Sequence, residues 1–126
     1  MLIENLLMGF TVCGALRETP VKHLVYVSSD AVYAASNLPL TEQSWAQPVS
    51  LHGVMHLARE VMLANCLTGP TCFLRPTLIY GAGDPHNGYG PNRFCRLAAA
   101  GDSILLFGAG EERRDHVWFE DVAELA

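Results

Sequence analysis

Two histidines, His52 and His56, are the residues of this sequence whose type and spacing best suit proton transfer. They lie four positions apart in segment 50–67, where apolar residues follow helical spacing, so both side chains project from one helix face. An imidazole accepts or donates a proton near neutral pH, which makes the pair a candidate acid–base group.

A metal site is the alternative for the same helix face, because Glu60 continues it by one more turn. One helix face is a poor cage for an ion, since positions i and i+8 are about 12 Å apart along the axis. Gly53 also stands where a His-Glu-x-x-His zinc helix carries its glutamate. We therefore expect no metal.

The elements that must position these residues alternate between helix and strand. Two apolar runs read as strands buried on both faces, the first ending at Ser28 and Ser29 and the second at Pro76. Predicted helices cover 1–18, 50–67 (capped by Ser50), 92–100 and a segment from Asp121, and predicted strands cover 22–28, 71–75, 103–107 and 116–119. This order predicts an α/β fold with a parallel sheet and right-handed crossovers.

A missing portion is expected from the same pattern. Only the strands at 22–28 and 71–75 have the buried character of a central sheet, and two strands cannot cover helices on both faces. The first residue already lies inside a helical pattern without a cap before it. We therefore expect a truncated chain or a misplaced start.

Composition places the chain among globular proteins. Half of its 126 residues are apolar, 17% are charged and the net charge is −5, so no basic field favours nucleic acid. No apolar run approaches the roughly 20 residues that span a bilayer. The four cysteines form no Cys-x-x-Cys pair, and we predict reduced thiols in a cytoplasmic protein.

Several short motifs follow one another along the chain in a distinctive order. They are Ser28-Ser29, Val32-Tyr33, the segment from Leu51 to Glu60, Leu74-Arg75-Pro76, Ile79-Tyr80-Gly81, Gly108-Ala109-Gly110, Arg114-Asp115-His116-Val117 and Asp121-Val122-Ala123. Their order and spacing resemble the extended short-chain dehydrogenase/reductase family, in particular its NAD-dependent sugar epimerases and dehydratases. The resemblance covers essentially the whole chain.

The resemblance implies a partial doubly wound, Rossmann-like parallel sheet followed by the start of a small substrate-binding lobe. Residues 1–80 would form the C-terminal part of the dinucleotide-binding domain, and residues 81–126 would begin the lobe. The cofactor would be NAD or NADP, but the sequence contains no Gly-x-x-Gly-x-x-Gly to cradle its pyrophosphate. The segments 81–83 and 108–110 follow the wrong elements for that role and read as turns.

The resemblance also implies site residues. The family serine matches Ser29, although a strand-end serine that bonds its own backbone is the alternative. The family Tyr-x-x-x-Lys motif aligns with His52-x-x-x-His56, which departs from it at both catalytic positions. Ser28, His56 and Pro76 would contact the cofactor. Ala31 after Asp30, where dehydratases carry Asp-Glu, argues against 4,6-dehydration.

Substrate contacts are assigned by resemblance to Asn92, Arg93 and Arg114. Arg114 matches the arginine that grips a diphosphate, which a guanidinium fork suits, and a surface ion pair with Glu111 or Asp115 is the alternative. Helices 1–18 and 50–67 match those through which the family forms homodimers.

These features predict an NAD(P)-dependent epimerase or dehydratase-like protein that acts on a nucleotide sugar. The catalytic group would be Ser29, His52 and His56. The alternative is an inactive family remnant that is retained for helix-mediated dimerisation.

Overall fold

The computed structural model describes residues 2–36, 38–85, 87, 90–111 and 113–126. The chain divides into two compact units, the first ending at Pro76 and the second spanning residues 77–125. The first unit contains helix α1 (Leu2–Glu18), strand β1 (Leu24–Val27), a 3-10 turn (Asp30–Val32), helix α2 (Leu51–Cys66) and strand β2 (Thr71–Leu74). The second contains strand β3 (Leu78–Tyr80), helix α3 (Pro91–Ala100), strand β4 (His116–Trp118) and helix α4 (Phe119–Leu125).

The first unit is built on a parallel pair of strands, as the alternation of elements predicts. β1 and β2 are in register from Leu24 opposite Thr71 to Val27 opposite Leu74. The pairing continues beyond the strands, since the Ser28 N–H donates to the Leu74 carbonyl at 2.7 Å and the Asp30 N–H to the Pro76 carbonyl at 3.1 Å. The carboxyl ends of both strands therefore hold the polar residues that follow them.

Helices α1 and α2 pack against each other, and a glycine allows their close approach. A Cβ at Gly9 would lie 3.3 Å from Cγ of Arg59 and 3.4 Å from the Met62 side chain, so α2 side chains lie against the α1 backbone there. Ser50 caps α2 as predicted, because its Oγ accepts the N–H of Gly53 at 3.1 Å. Both helices and both strands of the first unit match the predicted elements to within two residues. The two strands are half-buried rather than buried on both faces as predicted, and Val27 is 44% exposed.

The second unit differs from the prediction at two strands. β3 pairs in parallel with β4, from Leu78 opposite His116 to Tyr80 opposite Trp118. Residues 103–107, predicted as a strand, have no strand structure. The segment has the apolar composition of a strand but lacks the pairing that makes one. Its side chains are largely uncovered, since Leu105 and Phe107 are 85% and 72% exposed. That prediction is wrong, and the sequence interpretation also missed β3.

Two boundaries of the second unit have local causes. Helix α3 starts with Pro91 and ends at Ala100, and the next residue, Gly101, has a φ of 73°, the left-handed conformation common after a helix. Helix α4 starts at Phe119, two residues before the predicted Asp121. Among the described residues, no helix has the length and apolarity needed to cross a bilayer.

Candidate active site

Two serines lie where β1 ends, in different environments. Ser29 Oγ accepts the N–H of Ala31 at 3.1 Å and lies 3.3 Å from Oδ1 of Asp30, to which the hydroxyl donates. This is the local bonding that the sequence left open as an alternative for Ser29. Ser28 is only 5% exposed, and its Oγ has no hydrogen-bond partner among the described residues. Ser28 thus offers a buried hydroxyl with unused bonding capacity.

His52 and His56 lie together on the first turns of α2. Their ring centroids are 4.6 Å apart and the rings are inclined at 71°. His52 is exposed, whereas His56 is partly buried. Nη2 of Arg59 lies 3.3 Å from Nδ1 of His56. The predicted histidine pair is therefore present as a ring-to-ring contact with an arginine beside it.

The surroundings of His56 favour its neutral form. Burial lowers the pKa of the imidazole most, and the positive charge of Arg59 and the neighbouring His52 lower it further. Glu60 acts in the opposite direction. A neutral imidazole can donate one hydrogen bond and accept another.

The serine turn and the histidine helix meet through one backbone contact. A Cβ at Gly53 would lie 2.0 Å from the carbonyl oxygen of Ala31, so only glycine allows the first turn of α2 to approach the 3-10 turn this closely. Ser29 lies two residues before Ala31, and His52 immediately precedes Gly53. This approach brings the two parts of the predicted catalytic group to the same edge of the first unit.

An ion pair between the buried Glu60 and the half-buried Arg75 was not predicted. Glu60 is only 4% exposed, and both its carboxylate oxygens accept from Arg75, with Nε to Oε1 at 3.0 Å and Nη2 to Oε2 at 2.6 Å. Nη1 of Arg75 donates to the Tyr33 hydroxyl at 2.6 Å. These bonds to Glu60 and Tyr33 raise the pKa of Arg75, so it stays charged.

The helical spacing predicted Glu60 on the same helix face as His56, but nothing in the sequence indicated Arg75 as its partner. The pair also removes Glu60 from the metal alternative, because Arg75 occupies its carboxylate. Among residues the structure describes, no three His, Cys, Asp or Glu side chains are grouped to hold a metal ion.

Arg59 and Tyr26 form a second contact that the sequence did not indicate. Cζ of Arg59 lies 5.7 Å from the centroid of the Tyr26 ring, within the range of a cation–π contact. Burial raises the pKa of the Tyr26 hydroxyl, and Arg59 partly opposes that shift. The Tyr26 hydroxyl and Nε of Arg59 are both buried and have no partner among the described side chains.

The second unit holds a separate pocket that contains two of the predicted substrate residues. The cavity measures about 200 Å³ and is lined by apolar side chains together with Arg93, Arg114 and His116. Asn92 does not line it, since its Nδ2 donates to Oδ2 of Asp84 at 2.9 Å. The pocket thus combines apolar walls with two guanidinium groups, a composition suited to an anionic ligand with a hydrophobic part.

A parallel sheet with helices beside it, and polar residues after the carboxyl ends of its strands, defines the class of Rossmann-like nucleotide-binding folds. The model of the NAD dependent epimerase/dehydratase family matches residues 1–126, and the chain belongs to that family. The sequence resemblance is thereby confirmed for the family and for the fold class.

Individual relatives are similar to this chain over almost its whole length. A 37.6 kDa protein encoded in the cld 5′ region of Escherichia coli O111:H- is 30% identical over 96% of this chain and 38% of its own. A UDP-N-acetylglucosamine 4-epimerase from Bacillus cereus superposes with a TM-score of 0.83 at 25% identity, over 96% of this chain and 44% of the epimerase. A UDP-glucuronic acid 4-epimerase from the same organism, in complex with UDP-glucuronic acid and NAD, has a TM-score of 0.82 at 21% identity, over 96% and 41%.

This chain matches only part of the length of each of these relatives. The chain spans about two fifths of the length of these relatives.

Proposed function

We propose that these residues belong to an NAD(P)-dependent enzyme that epimerises or oxidises a nucleotide sugar, with Ser29, His52 and His56 as its acid–base group. The observation that carries this proposal is the contact between the two imidazole rings, 4.6 Å apart, beside the turn that holds Ser29. Imidazoles at this position can exchange a proton with a sugar hydroxyl near neutral pH.

The cofactor end of the site is assigned to Ser28, His56 and Pro76. The buried, unpartnered Oγ of Ser28 fits a carboxamide or hydroxyl group of a bound ligand, because leaving it without a partner is unfavourable. A neutral His56 suits a ribose hydroxyl. When bound, the nicotinamide supplies the hydride chemistry, and the protein supplies orientation and proton transfer.

The phosphate end of the cofactor is not provided for in this sequence, which contains no Gly-rich strand–turn–helix. We assign residues 1–80 to the C-terminal part of a dinucleotide-binding domain and 81–126 to the start of a substrate-binding lobe. The 126-residue chain alone should therefore show no NAD binding by calorimetric titration. A micromolar dissociation constant would contradict this assignment.

The substrate end is assigned to the pocket that Arg93 and Arg114 line. Guanidinium groups bind phosphate oxygens through paired hydrogen bonds, which favours a diphosphate, and the apolar walls favour a base or sugar face. Several solved relatives were obtained with UDP-sugars. Asn92 then supports the ligand indirectly, by holding the loop at Asp84.

A second function, pairing through helices without catalysis, is favoured by exposed apolar stripes on α1 and α2. On α1 the stripe includes Ile3 and Phe10, which are 72% and 66% exposed, and on α2 it includes Val54 and Val61. Exposed apolar residues on both helices suit a homodimer that uses both helices. Sedimentation as a stable folded monomer would argue against it.

The test of the catalytic proposal is a double substitution, His52→Tyr with His56→Lys, in a longer chain that joins these residues to a dinucleotide-binding segment. Turnover is measured with NAD and a UDP-sugar. Loss of an existing activity supports the histidine pair as the working group. A gain of activity from an inactive parent shows that the histidines are lesions and favours the pairing function.

A further inference from the structure

Two residues one turn apart mark the face of α1 that meets α2. Gly9 and Cys13 are both buried, and Cys13 is only 5% exposed. A Cβ at Gly9 would lie 3.4 Å from the Met62 side chain, so α2 comes close to the α1 backbone there. Because positions i and i+4 share a helix face, the same helix covers Cys13.

The residue of α2 that lies opposite Cys13 is a second cysteine. Each helix leads through a short connection into one of two parallel strands, so α1 and α2 run in the same direction. Cys13 follows Gly9 by four residues. Cys66 likewise follows Met62 by four, and four residues advance a helix by about 6 Å. The two cysteines therefore meet one turn beyond the glycine contact, where the Cys13 thiol donates a hydrogen bond to Cys66.

The other two cysteines lie elsewhere in the fold. Cys95 is on α3, in the second unit. Arg59 of α2 lies over the Tyr26 ring, which marks the face of the β1–β2 pair that is turned toward α2. Phe73 is opposite Tyr26 in the register and shares that face, so the preceding residue, Cys72, points to the other face.

We propose that Cys13 and Cys66 are a redox-sensitive pair, which a small-molecule disulfide such as glutathione disulfide oxidises to a covalent link between α1 and α2. Thiols that touch across closely packed helices meet the first requirement for a disulfide, which joins Cα atoms roughly 4–7 Å apart. The link fixes α2, the helix that carries the histidines, to α1. Its formation needs no cofactor or sugar and is independent of the proposed function.

The oxidation runs in two thiol–disulfide exchange steps. Cys66 is half-buried, whereas burial raises the pKa of the Cys13 thiol, so Cys66 reacts first. Its thiolate attacks one sulfur of glutathione disulfide, forms a mixed disulfide and releases a glutathione thiolate, which takes up a proton. Cys13 then loses its proton and attacks the Cys66 sulfur, and the second glutathione leaves. Two protein thiols are oxidised while one glutathione disulfide is reduced to two thiols.

The test is equilibration of the 126-residue chain with mixtures of reduced and oxidised glutathione. The variant Cys72→Ser with Cys95→Ser keeps only the proposed pair. Samples are quenched with acid and alkylated, and mass spectrometry gives the fraction that contains an intramolecular disulfide. The effective concentration of the two thiols should be about tenfold or more higher in buffer than in concentrated urea, because the fold holds them in contact. Equal values in buffer and in urea would overturn the proposal.

The matched control is Cys66→Ser with Cys95→Ser, which leaves Cys13 with Cys72. Because these two thiols lie on different faces of the strand pair, their effective concentration should not be higher in buffer than in urea. In the oxidised wild-type chain, digestion without reduction should yield a peptide pair joined through Cys13 and Cys66. A different pairing, or none, would overturn the proposal even if the variants fail to fold.

Discussion

The α-carbon of Gly53 faces the carbonyl oxygen of Ala31 so closely that a Cβ would lie 2.0 Å from it and 2.8 Å from Cβ of Pro48. The first turn of α2 is thereby fixed against the turn that follows β1. Because His52 and Ser29 lie on those two segments, this one backbone contact sets the geometry of the candidate active site. Even a methyl group at residue 53 would therefore collide with backbone and proline atoms.

Gly53→Ala should destabilise the chain by about 1–3 kcal/mol, because neither the Ala31 carbonyl nor Pro48 is a flexible group that can move aside. Gly14→Ala is the matched control in α1, where nothing lies within 4 Å of an added Cβ. That change should stabilise by about 0.5–1 kcal/mol, since alanine favours a helix over glycine. Urea unfolding of both variants measures the difference, and equal effects at the two sites would refute the contact.

Glu60 and Arg75 should behave as one unit in a double-mutant cycle. Each single substitution, Glu60→Ala or Arg75→Ala, leaves a charged partner in or near the interior and should cost about 3 kcal/mol. The double variant should cost less than the sum of the two, because no unpaired charge then remains. Free energies of unfolding from chemical denaturation provide the comparison. Additive effects would mean that the pair contributes no coupling.

Stability should depend on pH through His56. Its pKa in the folded chain is lowered by burial, Arg59 and His52, whereas in the unfolded chain it is near the usual value of about 6.5. Below that value the unfolded chain binds a proton that the folded chain resists, so His56 contributes stability above it and loses that contribution on acidification. The wild-type chain should exceed His56→Gln in free energy of unfolding by more at pH 7.5 than at pH 5.5. An identical pH dependence in both chains would contradict the lowered pKa.

The cysteines should differ in reactivity. Cys13 is only 5% exposed, and burial followed by a hydrogen bond that the Cys13 thiol donates to Cys66 raises its pKa, whereas Cys95 is exposed. Because the thiolate is the nucleophile, iodoacetamide should label Cys95 first and Cys13 last. Mass spectrometry of digested samples gives the order, and labelling in concentrated urea provides the unfolded reference. Cys13 reacting as fast as Cys95 in the native chain would show that α1 and α2 do not cover it.

Local signals in the sequence were sufficient where an element depends on its own residues. The Ser50 cap and the two apolar runs, which end at Ser29 and before Pro76, predicted elements of the first unit. Local signals failed where an element depends on a partner that is distant in the sequence. The apolar segment 103–107 has no strand structure, whereas the short run Leu78–Tyr80 becomes a strand because β4 pairs with it.

The sequence by itself determined the family, the alternation of helices and parallel strands, and the presence of two histidines on one helix face. Those follow from residue type and spacing along the chain. Tertiary structure alone decided that Arg75 binds Glu60, that Arg59 lies on Tyr26 and against His56, and that Gly53 meets Ala31. Contacts between positions far apart in sequence, such as Glu60–Arg75 and Ala31–Gly53, depend on how strands and helices pack. Helix spacing placed Arg59 near His56, but the packing around its guanidinium group selected that contact.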